Sequence, residues 1–193
     1  FIGDVVLATA LLQNLHAAYP SATIDILVRQ GADELFTDHP YINEVHVWNK
    51  KKNKYQHLFQ IIQTIRRIKY DVVINVQRYL ATGIITVLSG AKKTIGFNKN
   101  PLSFLFSEVV AHQFGAAAEA AGGAAEAGAR AAAQNSNSAA AQNLNRASLH
   151  ETSRNHALLA SLTTAPVAKP ALYPSAAHFA AVQKWQGSPY ICM

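Results

Sequence analysis

A carboxylate, two arginines and a histidine stand where the sequence places them at the ends of elements. Asp4 follows Gly3 at the head of the apolar run Val5-Val6-Leu7-Ala8-Thr9-Ala10-Leu11-Leu12. Two chemistries suit an aspartate there: a helix cap that accepts backbone N–H bonds, or a base that removes a proton from a substrate hydroxyl. Gln77 and Arg78 follow the run Asp71-Val72-Val73-Ile74-Asn75-Val76, and a guanidinium there can take a carboxylate or phosphate through a charge-assisted, two-pronged contact. The rival reading of Arg78 is a surface side chain. His150 and Arg154 are four apart, so one helical face can present both, either to a ligand or to solvent.

The elements that must position these groups alternate. Gly3 permits backbone angles closed to other residues and Asp4 is a good N-cap, which predicts a turn feeding a helix over Val5–Tyr19 that Pro20 stops. Thr23–Val28 reads as a strand, Gly31–His39 as a short helical turn ended by Pro40, and Val45–Trp48 as an edge or terminal strand. Leu58, Ile61, Ile62, Ile65 and Ile68 recur at helical spacing, so Tyr55–Lys69 is an amphipathic helix. Asp71–Val76 is apolar throughout, the pattern of a parallel strand, and Leu80–Ser89 is the next helix. Strand, helix, strand at these spacings predicts α/β architecture: a Rossmann-like parallel sheet flanked by helices, with ligands at the carboxyl ends of its strands.

Composition narrows the classes. The chain has 193 residues, 50% hydrophobic and 15% charged, enough to bury one substantial core or one domain and part of a second. A net charge of +6 suits an anionic partner: a phosphorylated lipid, a membrane surface or a nucleic acid. The run Lys50-Lys51-Lys52-Asn53-Lys54 is a solvated loop or a contact for such anions. No nucleic-acid reader motif or row of stacking aromatics accompanies it. Cys192 is the single cysteine, which excludes an intrachain disulfide framework and a Cys-rich zinc site. No His/Asp/Glu set has the sequence spacing of metal ligands, no Gly-rich dinucleotide or Walker loop surrounds Gly96, and no run approaches the length of a membrane span.

The opening Phe1-Ile2-Gly3-Asp4-Val5-Val6-Leu7-Ala8-Thr9-Ala10-Leu11 resembles the signature of the ADP-heptose:lipopolysaccharide heptosyltransferases, family 9 of the inverting glycosyltransferases. Three later stretches add to the resemblance. Tyr70–Arg78 is similar to the family strand Asp-x-x-(Ile/Val)-(Asp/Asn)-x-Gln. Lys93-Thr94-Ile95-Gly96-Phe97-Asn98-Lys99 is similar to its Ile-Gly-Phe strand and the loop facing the acceptor. His150-Glu151-Thr152-Ser153-Arg154 is similar to its His-(Ala/Glu)-x-x-Arg helix start.

The resemblance implies the N-terminal half of an enzyme with two facing Rossmann-like domains, the GT-B architecture. It makes Asp4 the catalytic base and places Gly3, Gln77, Arg78, Lys99, His150 and Arg154 on the acceptor side. It implies transfer of heptose, with inversion, from ADP-heptose to the lipopolysaccharide inner core, without a metal or other cofactor. The implied location is cytoplasmic, at the inner face of the inner membrane with peripheral contact, and no nucleic-acid partner is implied. A non-catalytic saccharide-binding module is the alternative.

Residues 1–163 are then the acceptor domain, 164–188 a linker and short helix, and 189–193 the first strand of a donor domain. A doubly wound sheet needs an apolar strand ahead of the Gly3-Asp4 turn, so the expectation is of a fragment. The Ala-rich segment Ala116–Ala147 has little to bury and no counterpart in the family pattern.

Overall fold

The computed structural model describes residues 2–49, 54–112 and 150–183. Element order is α1 (Ile2–Ala18), β1 (Asp25–Arg29), a 3-10 turn (Asp33–Phe36), β2 (Glu44–Trp48), α2 (Lys54–Ile68), β3 (Val72–Asn75), α3 (Leu80–Leu88), β4 (Lys93–Phe97), a 3-10 turn (Ser103–Leu105) and β5 (Glu108–Val110). After these come α4 (Glu151–His156), a 3-10 turn (Ala157–Leu159) and α5 (Ala176–Gln183). The basic run at 50–53, the Ala-rich segment, Cys192 and the strand expected at the C-terminus lie outside the described residues.

Among the described residues all pairing is parallel, as the alternation predicts. It falls into two sheets, β1 with β2 and β3-β4-β5, where one was expected. Helices cover both faces. On β1, Leu27 packs with Trp48, Ile61, Ile62, Ile65 and Ile85 towards α2 and α3, whereas Ile26 and Val28 pack with Leu12, Ala32 and Phe36 towards α1. This is the period-two alternation of a strand buried on both sides. A third cluster joins Ile95 and Phe97 of β4 to Leu158, which anchors the turn after α4 on the second sheet. Lys93 bonds Glu108 of β5 at 2.7 Å and Ser161, just beyond that turn, at 2.8 Å.

Three local expectations change. The first helix begins at Ile2, so Gly3 and Asp4 lie inside its first turn and Asp4 is not the cap. Gly3 has no left-handed backbone, and a side chain there would meet open space. Ile68 is 41% exposed because α2 ends there, and Lys69 leaves it in the left-handed conformation at φ 61°. Gly96 serves packing rather than a turn: a Cβ on it would sit 2.5 Å from the Phe106 ring.

The segment read as a linker is bound to α1. Asn14, buried on that helix, donates to the Pro166 carbonyl at 2.8 Å and accepts from the Ala168 N–H at 2.9 Å. Thr9 accepts from the Ala171 N–H at 3.0 Å. Two polar side chains on the apolar face of α1 are thus satisfied by an extended strap, as buried polar groups must be.

Candidate functional site

Register fixes which residues meet at the carboxyl edge of the second sheet. Asn75 lies opposite Gly96 and Phe97 opposite Val110, so the chain leaving β3, β4 and β5 delivers Arg78, Lys99 and His112 to one edge. Asn100, 1% exposed, ties the first two loops together: its amide donates to the Gln77 and Tyr79 carbonyls, both at 3.1 Å, and its oxygen accepts from the Leu102 N–H. A Cβ on Gly83 would collide with that amide, which is why α3 carries glycine at its closest approach. Asn98 joins the second and third loops, donating from its backbone to the Val110 carbonyl and accepting from the His112 N–H at 3.0 Å.

His112 is the electrostatic centre of this edge. Its ring stands edge-on to Phe97, centroids 4.6 Å apart. Burial pushes its pKa below the ordinary value of 6.5, and the charges of Arg154, Arg78 and Lys99 push it further in the same direction. Three cations from three separate segments therefore lie within electrostatic reach of one imidazole. Arg154 arrives from α4, which packs against α1, and it pairs with Glu151 one turn earlier. Next to it in sequence, Asn155 is buried with no hydrogen-bond partner for its Oδ1, and Asn75 at the end of β3 has none for its Nδ2. A buried polar group left so costs roughly 1–3 kcal/mol.

The residues singled out from sequence divide into three groups. Arg78, Lys99 and Arg154 come within electrostatic reach of His112. Gly3 and Asp4 lie in the exposed first turn of α1, where the N–H groups of the helix favour a negative charge, and α1 packs against α4, the helix that carries Arg154. His150 is instead the N-cap of α4, its Nδ1 accepting from the Thr152 N–H and lying 2.8 Å from the Thr152 hydroxyl, so it and Arg154 do not form one helical face. Gln77 is exposed, and its backbone N–H is held by Asn75 at 2.9 Å. His112, Asn98 and Asn100 were missed by sequence reasoning. The one signal available was their position just beyond strands whose carboxyl ends face the ligand edge.

At the amino ends of the other sheet a second cluster has formed. Asp25 on β1 lies opposite Glu44 on β2, and His46 follows two residues on, so all three side chains share a face. Their ligand atoms lie within 4.8 Å of one another, a grouping that sequence spacing hid because it is assembled from two strands. These groups already satisfy each other. Tyr70 donates to Asp25 at 2.5 Å and lies 3.1 Å from His46 Nε2, Asn43 donates to the other Asp25 oxygen at 2.9 Å, and His46 Nδ1 is 3.4 Å from Glu44. Burial first, then Asp25 and Glu44, raise the Tyr70 pKa well above the usual phenol range.

No protein-family model matches the chain. Among curated proteins it is 31% identical over 99 residues to lipopolysaccharide heptosyltransferase 3 of Escherichia coli, covering 49% of this chain and 29% of that protein. Its counterpart from strain K12 is 32% identical over 77 residues, covering 38% and 22%. Among solved structures it is similar to the E. coli ADP-heptose lps heptosyltransferase II, TM-score 0.62 at 15% identity, over 97% of this chain and 49% of that one. It is also similar to a glycosyl transferase family 9 protein from Veillonella parvula DSM 2008, TM-score 0.52 at 23% identity, over 58% and 33%. The chain thus spans under a third of the curated relatives' length and up to half of the solved chains'. In sequence and in α/β fold, the family this chain is similar to is that of the lipopolysaccharide heptosyltransferases, glycosyltransferase family 9.

Proposed function

We propose that this chain forms the acceptor side of an inverting glycosyltransferase that moves heptose from ADP-heptose to the inner core of lipopolysaccharide. The observation that carries the reading is the convergence of Arg78, Lys99 and Arg154 on His112 at the carboxyl edge of β3-β4-β5. Cations brought to one edge from three segments suit an anion, and the phosphates or carboxylates of an inner-core saccharide are of that class. Asp4 accepts the proton of the acceptor hydroxyl while its oxygen bonds to the anomeric carbon. The bond from that carbon to the diphosphate breaks on the opposite face, and ADP leaves with the electron pair. In this reading the charge on ADP is met by helix N-termini and cations of the donor side rather than by a metal.

Asp4→Asn in the complete protein tests the reading. Turnover falls about a hundredfold to ten-thousandfold, the range for loss of a general base, while acceptor binding is retained. Near-normal turnover removes Asp4 as the base. The rival reading is a saccharide-binding module without transfer; acceptor binding by the unaltered protein with no turnover on any nucleotide sugar would establish it.

A further inference from the structure

We propose that Asp25, Glu44 and His46 bind one divalent transition-metal ion, of which zinc is the type, and that the ion clamps β1 to β2 at their amino ends. Proton counting within the cluster carries the inference. A phenol has a single O–H, and Tyr70 gives it to Asp25 at 2.5 Å. The Tyr70 oxygen, 3.1 Å from His46 Nε2, can then only accept there, which puts the ring proton on Nε2. In the neutral ring Nδ1 is left as a lone pair, and it faces a Glu44 carboxylate oxygen, an acceptor like itself, at 3.4 Å. Two lone pairs so placed call for a cation between them. Either a second ring proton or a metal ion supplies it.

Geometry favours the metal. A proton shared between the charged ring and the carboxylate would draw nitrogen and oxygen to about 2.8 Å, whereas two ligands about 2.1 Å from a tetrahedral ion stand about 3.4 Å apart. The observed separation is the second. Asp25 brings a third ligand atom, the three lying within 4.8 Å of one another, and the Glu44 side chain, 56% exposed, has the freedom to close the remainder and leaves the ion a way in. Tyr70 and Asn43, bonded to Asp25, and Tyr70 against His46 are the outer hydrogen bonds that orient metal ligands. One imidazole with two carboxylates suits zinc and its first-row neighbours, while magnesium and calcium prefer oxygen alone. The site lies in the other sheet from His112, so it stands or falls apart from the transferase reading.

The test is titration of the chelator-treated full chain with zinc chloride, followed by calorimetry and by thermal melting, with magnesium chloride as the comparison. Zinc is expected to bind and to raise the melting temperature by about 5–10 °C at about a hundredfold excess over its Kd. Glu44→Gln, on an exposed side chain, should weaken zinc about tenfold or more while leaving the metal-free melting temperature unchanged, and His46→Gln should weaken it about a hundredfold. Tyr70→Phe keeps all three ligands and should weaken zinc about tenfold. Absence of zinc binding by the unaltered chain would overturn the proposal. So would unchanged zinc affinity in both Glu44→Gln and His46→Gln, because the ion would then sit on other histidines, and so would an equal shift in melting temperature with magnesium.

Discussion

The two ends of the sheets gather charge in opposite ways. At the amino ends of β1 and β2, Asp25, Glu44, His46, Tyr70 and Asn43 close a network in which donors and acceptors answer each other. At the carboxyl ends of β3, β4 and β5, three cations act on a half-buried imidazole, one of them paired with Glu151. The first network joins β1, β2 and Tyr70, with Glu44 open to solvent. Cations gathered at one edge attract an anion, so the second end is the one suited to an anionic ligand.

The comparison breaks most directly at Arg78 and Lys99. Either residue changed to Ala should raise the acceptor KM about tenfold, the effect of one charge-assisted bond, with the larger effect at low salt and no change in melting temperature. Unchanged acceptor affinity would remove the functional half of the contrast. Tyr70→Phe probes the other end. It removes the bonds to Asp25 and His46 and should destabilise the fold by about 1–2 kcal/mol in denaturant titration, leaving acceptor KM unaltered. A change in KM there would show that the two ends are not independent.

His112 sharpens the contrast through pH. Its folded pKa is lowered, so between that value and 6.5 the unfolded chain binds the proton that the folded chain refuses. Stability from this group is therefore complete above pH 6.5 and is lost as pH falls; buried His39 adds a loss of the same sign. His112→Gln should flatten the fall in melting temperature over that window without abolishing it. Because a bound anion favours the protonated ring, binding of inorganic phosphate should strengthen as pH falls in the native protein and lose that part of its pH dependence in the variant. The smallest effect lies at neither end: Lys69→Gly relieves a left-handed residue and should stabilise the protein by roughly 0.5–1 kcal/mol.

Periodicity and breakers were enough to read most elements. Ile61, Ile62 and Ile65 at helical spacing became the buried face of α2, and the apolar strand before Gln77 became β3. These are local properties, set by which side chains recur on one face and where Pro or Gly stops them. The start of α1 was not readable in this way, because Gly3 and Asp4 suit a turn and a first helical turn alike. Nor was the role of His150, whose ring caps the helix that its spacing suggested it would decorate.

The sequence by itself determined that Asp4, Arg78, Lys99 and Arg154 stand beside helix starts and strand ends, and that the chain alternates β and α. Tertiary structure alone decided that Arg78, Lys99 and Arg154 lie within electrostatic reach of His112, and that Asp25, Glu44, His46 and Tyr70 come together. The reason is parallel pairing. Its crossovers bring together residues tens of positions apart, and only the register of β3, β4 and β5 states which loop ends become neighbours.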